Sequence, residues 1–524
     1  MSASGIQGRA QWIVFCSLML LALLSVGGYV AWSYSQGLLG FPLDDAWIHQ
    51  TYARNLAETG QLAFLPGQPS AGSTSPAWSF LLSVGYLLGV DFRAWTYLLG
   101  GISLAATAWL TYRLCLRLIP SRPTAALCAG LLCALEWHLV WAAASGMETI
   151  LFTALSLALL EYFFSVVAAR RSPDRPASMQ KEQAIVSAAG IGLLGGILTL
   201  TRPEGLGLAG LVIAALVFLP RPTGWNEIRS RLAAAAVSLL TLGAVLAPYL
   251  VFNLRTSGAI WPNTFYAKQV EYQVDWPLPL RFWWVLRPTL AGAQAVLVPG
   301  FLYAAYRLGR QRDWPAIVPL VWWLTSLLVY ALRLPVSYQH GRYAMPTIPL
   351  LILYGTWGTA LFLRPQAPQL GVRVLSRSLV LATAVLALLF WGRGAQAFRD
   401  DVGFIEGEMV ATTRWLNENT APDELIAVHD IGAVGYLIER PLLDLAGLIT
   451  PEVIPFMSDA EQLADWMIER GAGYAVFFPD FSSTYAQLAA DARFQQAYCT
   501  EYAWTRSAGH ENLCVYRLVG GNRR

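Results

Sequence analysis

Long apolar segments recur along the whole chain and are separated by short polar stretches. Each runs for about 16 to 24 residues, and a helix of that length crosses, or nearly crosses, about 30 Å of hydrocarbon. Tilting and snorkelling side chains accommodate the differences in length. The pattern therefore predicts a polytopic α-helical membrane protein with about eleven transmembrane helices. The predicted segments are 12–32, 93–114, 123–142, 147–168, 184–201, 205–220, 232–252, 289–307, 314–332, 346–363 and 378–393.

The last quarter of the chain has a different pattern. From Arg399 onward, amphipathic segments alternate with short apolar runs. Helical and strand-like periods that alternate in this way indicate a small α/β domain of about 125 residues. We therefore predict a transmembrane domain, 1–398, followed by a C-terminal α/β domain, 399–524. The helix-like segments are 408–418 and 459–470, and the strand-like runs are 425–428 and 474–478.

The composition agrees with a membrane protein. Hydrophobic residues make up 56% of the 524 residues and charged residues only 13%, against roughly 25% charge in soluble domains. The bilayer is therefore the main solvent of this chain. A net charge of +3 is too small to indicate nucleic acid, so we predict no such partner. We interpret the first apolar run as a retained span, because it lacks a clear signal-peptide cleavage site.

Lysine and arginine decide the predicted orientation. Five clusters of these residues all fall on the same face of the predicted topology. The positive-inside rule makes that face cytoplasmic. We therefore expect a multi-pass protein of the cell membrane, with its N-terminus in the cytoplasm and its C-terminal domain outside. The clusters lie at 113–122, 170–181, 221–231, 307–312 and 364–377.

The first predicted outer loop, 33–92, contains a further apolar stretch at 76–90. A crossing there would break the alternation of sides, so we interpret the stretch as a juxtamembrane or re-entrant helix. The chain shows no internal repeat of fixed period, which weakens a comparison with transporters built from inverted repeats.

Six cysteines fall into two groups. Four lie in or beside apolar runs, where free thiols behave as small hydrophobic side chains. Cys499 and Cys514 instead flank a polar stretch near the C-terminus that reads as a hairpin. Because disulfides persist outside the cell, we expect these two to form one. The other four are Cys16, Cys115, Cys128 and Cys133.

An adjacent acidic pair, Asp44 and Asp45, opens the first outer loop. Two neighbours on a helix cannot face the same direction, so the two carboxylates would do different jobs. One would accept a proton or a metal, and the other would cap a helix that begins at Ala46. The alternative is that both simply cap that helix in water.

The other predicted outer turns also place charged residues against the membrane. Each residue alone has an ordinary explanation, such as a helix cap, a snorkelling ion pair or an interfacial anchor. Together they bring acids and bases to one membrane depth on one side, and charge so close to lipid is costly enough to suggest a function. The candidate binding residues are Glu148, Arg202, Glu204, Asn263, Tyr266, Lys268, His340, Arg342 and Tyr343.

These residue types suit a phosphate-linked substrate at the outer leaflet. Arg202, Lys268 and Arg342 could hold a lipid phosphate, since guanidinium groups bind phosphate with two hydrogen bonds. A carboxylate such as Asp44 could take the proton of an attacking hydroxyl. A transporter or flippase of a lipid-linked substrate is the alternative, although the spans are nearly free of charge at mid-depth, with Glu136 and Glu161 as the nearest exceptions.

At these residues the chain resembles the GT-C class of polyprenyl-phosphate-dependent glycosyltransferases, which have many spans and an acidic motif in the first outer loop. It looks most like bacterial proteins similar to the mycobacterial terminal arabinofuranosyltransferases, which use decaprenyl-phosphoryl arabinose. The resemblance covers the membrane part and not the tail. The motifs that carry it are 43–48 with 52–56, 146–149, 201–204, 262–264 with Lys268, and 340–342.

The resemblance implies that Asp44 is the catalytic base, with Asp45 as the alternative, and that a lipid phosphate binds near Lys268 and Arg342. The expected reaction is the inverting transfer of a hexosyl or pentosyl group from a polyprenyl phosphate to a glycan, lipid or protein of the cell envelope. Some members of the wider class bind a divalent cation, so a cation held by Asp44 with Glu148 or His340 is an alternative, although no ligand spacing supports a metal site. In the tail, we interpret 430–435 as a turn, because it lacks the glycine fingerprint of dinucleotide sites.

Overall fold

The computed structural model describes residues 3–170, 177–272, 274–438 and 440–519. In these ranges eight helices are long and apolar enough to cross a membrane, and two bent pairs of helices raise the number to ten. The shorter apolar helix Gly205–Phe218 corresponds to the remaining predicted segment, 205–220. The prediction of a polytopic α-helical membrane protein is therefore confirmed. Most of the basic cluster predicted at 170–181 lies outside the described residues.

The helices of the membrane part follow the predicted segments closely. Helix Pro76–Leu87 in the first outer loop is too short to cross the bilayer and packs against helix Asp44–Thr59, which we call the acidic helix. The remaining helices are Ala3–Ser35, Phe92–Leu118, Pro123–Leu135, Trp137–Ala144, Thr149–Arg170, Ala177–Thr201, Gly205–Phe218, Trp225–Ser257, Asn263–Glu271, Leu278–Leu286, Val298–Gln311, Trp314–Arg333, Tyr338–Gly341, Ile348–Phe362 and Leu370–Ile405.

Two predicted spans are broken. The segment predicted at 123–142 bends by 48° at Glu136, whose carboxylate accepts a hydrogen bond from the backbone N–H of Leu139 and so caps the second half. The segment predicted at 289–307 is the second half of a pair that bends by 108°. Pro288 and Gly292 lie at that bend, and neither residue favours a continuous helix. Hydropathy alone does not reveal either break.

Small residues allow close packing in the membrane core. A Cβ atom added at Gly358 would lie 1.9 Å from the carbonyl oxygen of Gly300, so helices Val298–Gln311 and Ile348–Phe362 touch through their backbones. Without a hydrophobic driving force between helices in lipid, such close van der Waals contact is what holds spans together.

The last span continues into the C-terminal domain without a loop. Helix Leu370–Ile405 passes through a π-helical turn, Glu406–Val410, into helix Ala411–Asn419. The carboxylate of Glu408, fully buried in that turn, accepts hydrogen bonds from the Thr505 hydroxyl, the Asn512 amide and other donors of the domain. The boundary that we predicted at 398/399 thus lies inside a helix.

The C-terminal domain is built on a five-stranded mixed sheet. Strand Ile426–Val428 pairs in parallel with Leu442–Asp444 and with the central strand Tyr474–Phe477, and the hairpin Phe494–Cys499 and Cys514–Leu518 adds antiparallel strands. Cys499 lies opposite Cys514 in this hairpin, and the expected disulfide joins them in the structure. The helices are Ile431–Leu437, Ala460–Glu469, Ser483–Ala490 and Ala503–Ser507, and a small hairpin in the first outer loop joins Ala63–Leu65 to Gln68–Pro69.

The orientation of the chain stays a prediction. We expect Gln487→Cys, on an exposed surface of the C-terminal domain, to react with a membrane-impermeant maleimide in intact cells, and Gln311→Cys to react only after the membrane is opened. Both are made with the exposed cysteines Cys16 and Cys128 replaced by serine. Labelling of Gln311→Cys in intact cells would reverse the predicted topology.

Candidate active site

A cavity of about 450 Å³ lies between the predicted outer loops and the C-terminal domain. The acidic helix enters it with Asp45, Ile48 and His49, which share one helical face because they are three and four residues apart. Helix Asn263–Glu271, which we call the lysine helix, contributes Lys268. The C-terminal domain contributes Leu448, so the cavity wall is formed from both ends of the chain.

The centre of the cavity is an ion-pair cluster around Asp45. Lys268 Nζ lies 3.0 Å from Asp45 Oδ2, and Arg342 Nη2 donates to the same oxygen. The hydroxyl of Tyr343 accepts from Lys268 (3.4 Å) and from Arg342 (3.1 Å). Arg342 is 3% exposed, and Asp45 retains 25% of its side-chain exposure. One carboxylate oxygen therefore balances two cations, the buried Arg342 and the partly buried Lys268.

The charges shift the acid–base equilibria of this cluster. Burial alone would raise the pKa of Asp45, but Lys268 and Arg342 outweigh it and hold that pKa well below its ordinary value. Burial also disfavours the charged form of Lys268, and Asp45 outweighs this effect and raises the lysine pKa well above its ordinary value. All three groups are thus charged at neutral pH.

A second cluster lies beside the first. The guanidinium of Arg202 donates to the Tyr330 hydroxyl at 2.8 Å and to Glu204 at 3.2 Å, and lies 3.6 Å from Glu148. His49 Nε2 lies 3.3 Å from the other oxygen of Glu148. The side chain of Glu148 therefore joins the acidic helix to the turn that carries Arg202, in addition to any role as a helix cap.

Positive charge exceeds negative charge in this cavity. Its lining includes four cationic side chains and three carboxylates, with His49 in addition. Two N–H groups of Arg342, on Nε and Nη1, have no hydrogen-bond partner among the described residues. Buried donors of this kind are costly when unpaired, so they favour an anionic oxygen ligand. The cations are Arg202, Lys268, Arg333 and Arg342, and the carboxylates are Asp45, Glu148 and Glu204.

Apolar side chains line another part of the cavity. Trp261, Phe265, Val329 and Leu334 belong to its wall, and both Phe265 (39%) and Val329 (47%) are partly exposed on the surface of the protein. The cavity therefore offers charged groups and an apolar lining to one ligand. An amphiphile with an anionic group matches both.

Asp44 does not share this cavity. The acidic helix begins at Asp44 itself, its N-cap position is Leu43 and no side chain caps it. Our expectation that one aspartate caps a helix beginning at Ala46 is wrong. The Asp44 carboxylate instead accepts the backbone N–H groups of Gly432 (2.6 Å) and Ala433 (2.8 Å) in the C-terminal domain. The predicted turn at 430–435 is therefore largely the start of a helix, Ile431–Leu437, which we call the contact helix.

The pKa of Asp44 differs from that of its neighbour. Burial raises it to about 7, and the nearby carboxylate of Asp430 adds to the rise, against the two backbone N–H groups, which lower it. A pKa near 7 would suit a general base. The geometry does not, because both oxygens of Asp44 face Gly432 and Ala433 and the residue does not line the cavity.

Three further candidates lie away from the cavity lining. His340 Nε2 bonds to Asp401 at 2.7 Å, between the rings of Trp137 and Trp141. Asn263 donates to the carbonyl of Leu448, and Tyr266 is 39% exposed. Proximity in sequence to Lys268 or Arg342 is misleading here, because residues two or five apart on a helix face different directions. The proposed cation ligands Asp44, Glu148 and His340 are likewise not brought together.

His49 and Tyr330 are the residues that the sequence analysis missed. His49 follows Asp45 by four residues, so the helical period could have placed both on one face. Tyr330 lies near the outer end of a span, and only the fold brings its hydroxyl to Arg202.

The fold has known relatives. The structure of ArnT from Cupriavidus metallidurans bound to undecaprenyl phosphate matches with a TM-score of 0.60 and 17% identity over 99% of both chains. The Archaeoglobus fulgidus oligosaccharyltransferase AglB, in complex with an inhibitory peptide and a dolichol-phosphate, matches with a TM-score of 0.58 and 13% identity over 91% of this chain and 71% of that one. The chain therefore has the fold of GT-C glycosyltransferases, as its motifs suggested.

A third match is itself an arabinofuranosyltransferase. The arabinofuranosyltransferase AftD from Mycobacteria matches with a TM-score of 0.51 and 15% identity, over 98% of this chain and 40% of that one. Residues 397–516 match a family described as a domain of unknown function, DUF8728. No protein with a curated description matches the sequence.

The ion-pair cluster gives a first test. We expect Asp45→Asn to lower the free energy of unfolding by about 3 kcal/mol, because it leaves Lys268 and Arg342 buried without their counter-charge. Thermal unfolding in detergent measures the loss. Adding Lys268→Met to Asp45→Asn should recover part of the lost free energy of unfolding. The control Asp91→Asn, at an exposed helix cap, should cost at most about 1 kcal/mol. Equal losses for Asp45→Asn and Asp91→Asn would contradict the cluster.

Proposed function

We propose that this protein is an inverting glycosyltransferase that moves a sugar from a polyprenyl-phosphate donor to an extracytoplasmic glycan, lipid or protein. The observation that carries the proposal is Arg342, a 3% exposed guanidinium in the cavity with two unpaired N–H groups. An anionic phosphate oxygen can accept a charge-assisted hydrogen bond from either nitrogen. The solved relatives named with undecaprenyl phosphate and dolichol-phosphate support the same ligand chemistry.

In this proposal the donor phosphate binds Arg342, Lys268 and Arg202, and the polyprenyl chain leaves along Phe265 and Val329 toward the bilayer. The cations stabilise the negative charge that collects on the phosphate as its bond to the anomeric carbon breaks. The phosphate would compete with Asp45 for Lys268 and Arg342. Sharing these cations raises the pKa of Asp45 from its low value in the free site.

Asp45 then acts as the base. An acceptor hydroxyl attacks the anomeric carbon from the side opposite the phosphate, the new C–O bond forms as the C–O bond to phosphate breaks, and the hydroxyl proton passes to Asp45. The configuration at the anomeric carbon inverts. We assign this role to Asp45 rather than Asp44, because Asp45 alone of the pair lines the cavity.

The class of sugar follows from the resemblance and not from the cavity. The motifs look most like those of terminal arabinofuranosyltransferases, and the fold match to AftD agrees. A pentosyl donor is thus our first candidate, and a hexosyl donor the second. The reaction as written needs no metal, and the acids proposed to hold a cation do not converge.

The acidic residues in the spans support the alternative, a transporter, less well than the cavity supports a glycosyltransferase. Glu161 is paired with Arg113 (2.9 Å) and Arg117 (2.8 Å). Glu136 bonds to His138 (2.7 Å) and accepts from Gln294 (3.2 Å), so it belongs to a packed polar cluster at a helix break rather than to the cavity. Both acids have structural partners.

The base assignment can be tested with purified protein. We expect Asp45→Asn to lower the release of polyprenyl phosphate from a polyprenyl-phosphoryl pentose about 10²- to 10⁴-fold, the usual contribution of a general base. Asp91→Asn serves as the control and should keep full activity. Undiminished turnover by Asp45→Asn would remove Asp45 from the mechanism, and no release by the unchanged protein from any lipid-linked sugar would refute the proposed function.

The phosphate site has a separate test. We expect Arg342→Gln to weaken the binding of polyprenyl phosphate itself by at least about tenfold, because a charge-assisted hydrogen bond is lost. The shift in melting temperature against polyprenyl phosphate concentration measures this. Arg287→Gln, an exposed arginine stacked on Trp284, is the matched control and should bind normally. Equal affinity in both variants would move the phosphate site elsewhere.

A further inference from the structure

The carboxylate of Asp44 forms a contact that the proposed reaction does not use. Its two oxygens each accept one backbone N–H, from Gly432 and from Ala433, across 388 and 389 residues of sequence. A Cβ atom at position 432 would lie 2.0 Å from the Asp44 carbonyl oxygen and 2.6 Å from Oδ2. Only glycine leaves room for this approach. The acidic helix and the contact helix are therefore fitted to each other atom by atom.

A second contact joins the lysine helix to the same part of the C-terminal domain. His429 is buried, with Nε2 3.5 Å from Glu271 and Nδ1 3.3 Å from Asp430. Burial disfavours the charged form of His429, but Asp430 and Glu271 outweigh it and raise the pKa to about 10. The histidine is thus positive at neutral pH and holds the end of the lysine helix. Glu271 is three residues beyond Lys268, less than one helical turn away.

The segment 429–433 therefore touches both helices that supply the central charges of the cavity. Asp44 is adjacent to Asp45, and Glu271 is within one turn of Lys268. Successive residues on a helix point about 100° apart. One aspartate can then face the C-terminal domain while the next faces the cavity, which gives the adjacent pair a physical reason.

We propose that Asp44 is a positioning residue: by binding the backbone N–H groups of Gly432 and Ala433, it fixes the acidic helix against the C-terminal domain and so fixes Asp45 in the cavity. The proposal rests on the proposed glycosyl transfer for its effect on rate. Misplacement of a reacting group by about 1 Å can cost about 10²-fold in rate, so a loosened acidic helix should slow turnover strongly.

Hydrogen exchange tests the contact without any substrate. We expect Asp44→Ala in the full-length protein to speed amide exchange in the peptide that covers Ile431–Leu437 at least about tenfold, because two amides lose their acceptor. Asp45→Asn should leave that peptide unchanged. Asp91→Ala, which frees the amides of Arg93 and Ala94, is the matched control and should change only its own helix. Unchanged exchange at the contact helix would overturn the proposal.

Activity separates positioning from proton transfer. Asparagine at position 44 keeps an oxygen that can accept one of the two backbone N–H groups, loses the acceptor for the other, and cannot act as a base at neutral pH. We expect Asp44→Asn to stay within about tenfold of the unchanged kcat and Asp44→Ala to fall about 100-fold. Asparagine and alanine variants that are equally inactive would make Asp44 the base and overturn the proposal.

A double-mutant cycle with Gly432 tests the contact from the side of the C-terminal domain. Gly432→Ala should lower kcat by itself, and combining it with Asp44→Ala should add little, since both remove the same contact. Fully additive losses would contradict the contact. If the unchanged protein released no polyprenyl phosphate, the proposed function would fail, and the exchange experiment would still decide whether Asp44 holds the contact helix.

Discussion

One carboxylate that two cations share, the buried Arg342 and the partly buried Lys268, constrains how the rest of this structure is arranged. Lys268 and Arg342 come from outer segments that are far apart in sequence, and each would be costly to bury without Asp45. The acidic helix must therefore enter the cavity at a fixed depth and rotation. The same cluster suits an anion, because Arg342 keeps N–H donors on Nε and Nη1 without a partner among the described residues.

The C-terminal domain is a structural part of this site. Leu448 belongs to the cavity wall, and its carbonyl accepts from Asn263 on the lysine helix. Asp444, fully buried, accepts the backbone N–H groups of Ala446 and Ile449 and so fixes the loop that carries Leu448. A small α/β domain thus shapes one side of a site that the membrane helices and their loops otherwise form.

The sequence predicted best the features that depend on the average character of a segment, such as its apolar length or its periodicity. Apolar length predicted the spans, and alternating periods predicted strands such as Ile426–Val428 and helices such as Ala460–Glu469. It was least informative where direction matters. Asp44 and Asp45 look equivalent in sequence, yet only Asp45 lines the cavity, and His340 faces Asp401 although Arg342 faces the cavity. Rotation about a helix axis depends on distant packing partners that no local pattern specifies.

The position of Leu448 in the cavity wall also bears on how the protein is made. The membrane helices can insert as they leave the ribosome, but the cavity wall stays open until more than four-fifths of the chain has been translated and the segment that carries Leu448 has folded against it. A nascent or truncated chain therefore holds Lys268 and Arg342 in a site that lacks one side. The order of synthesis therefore keeps the cavity incomplete until the C-terminal domain has folded.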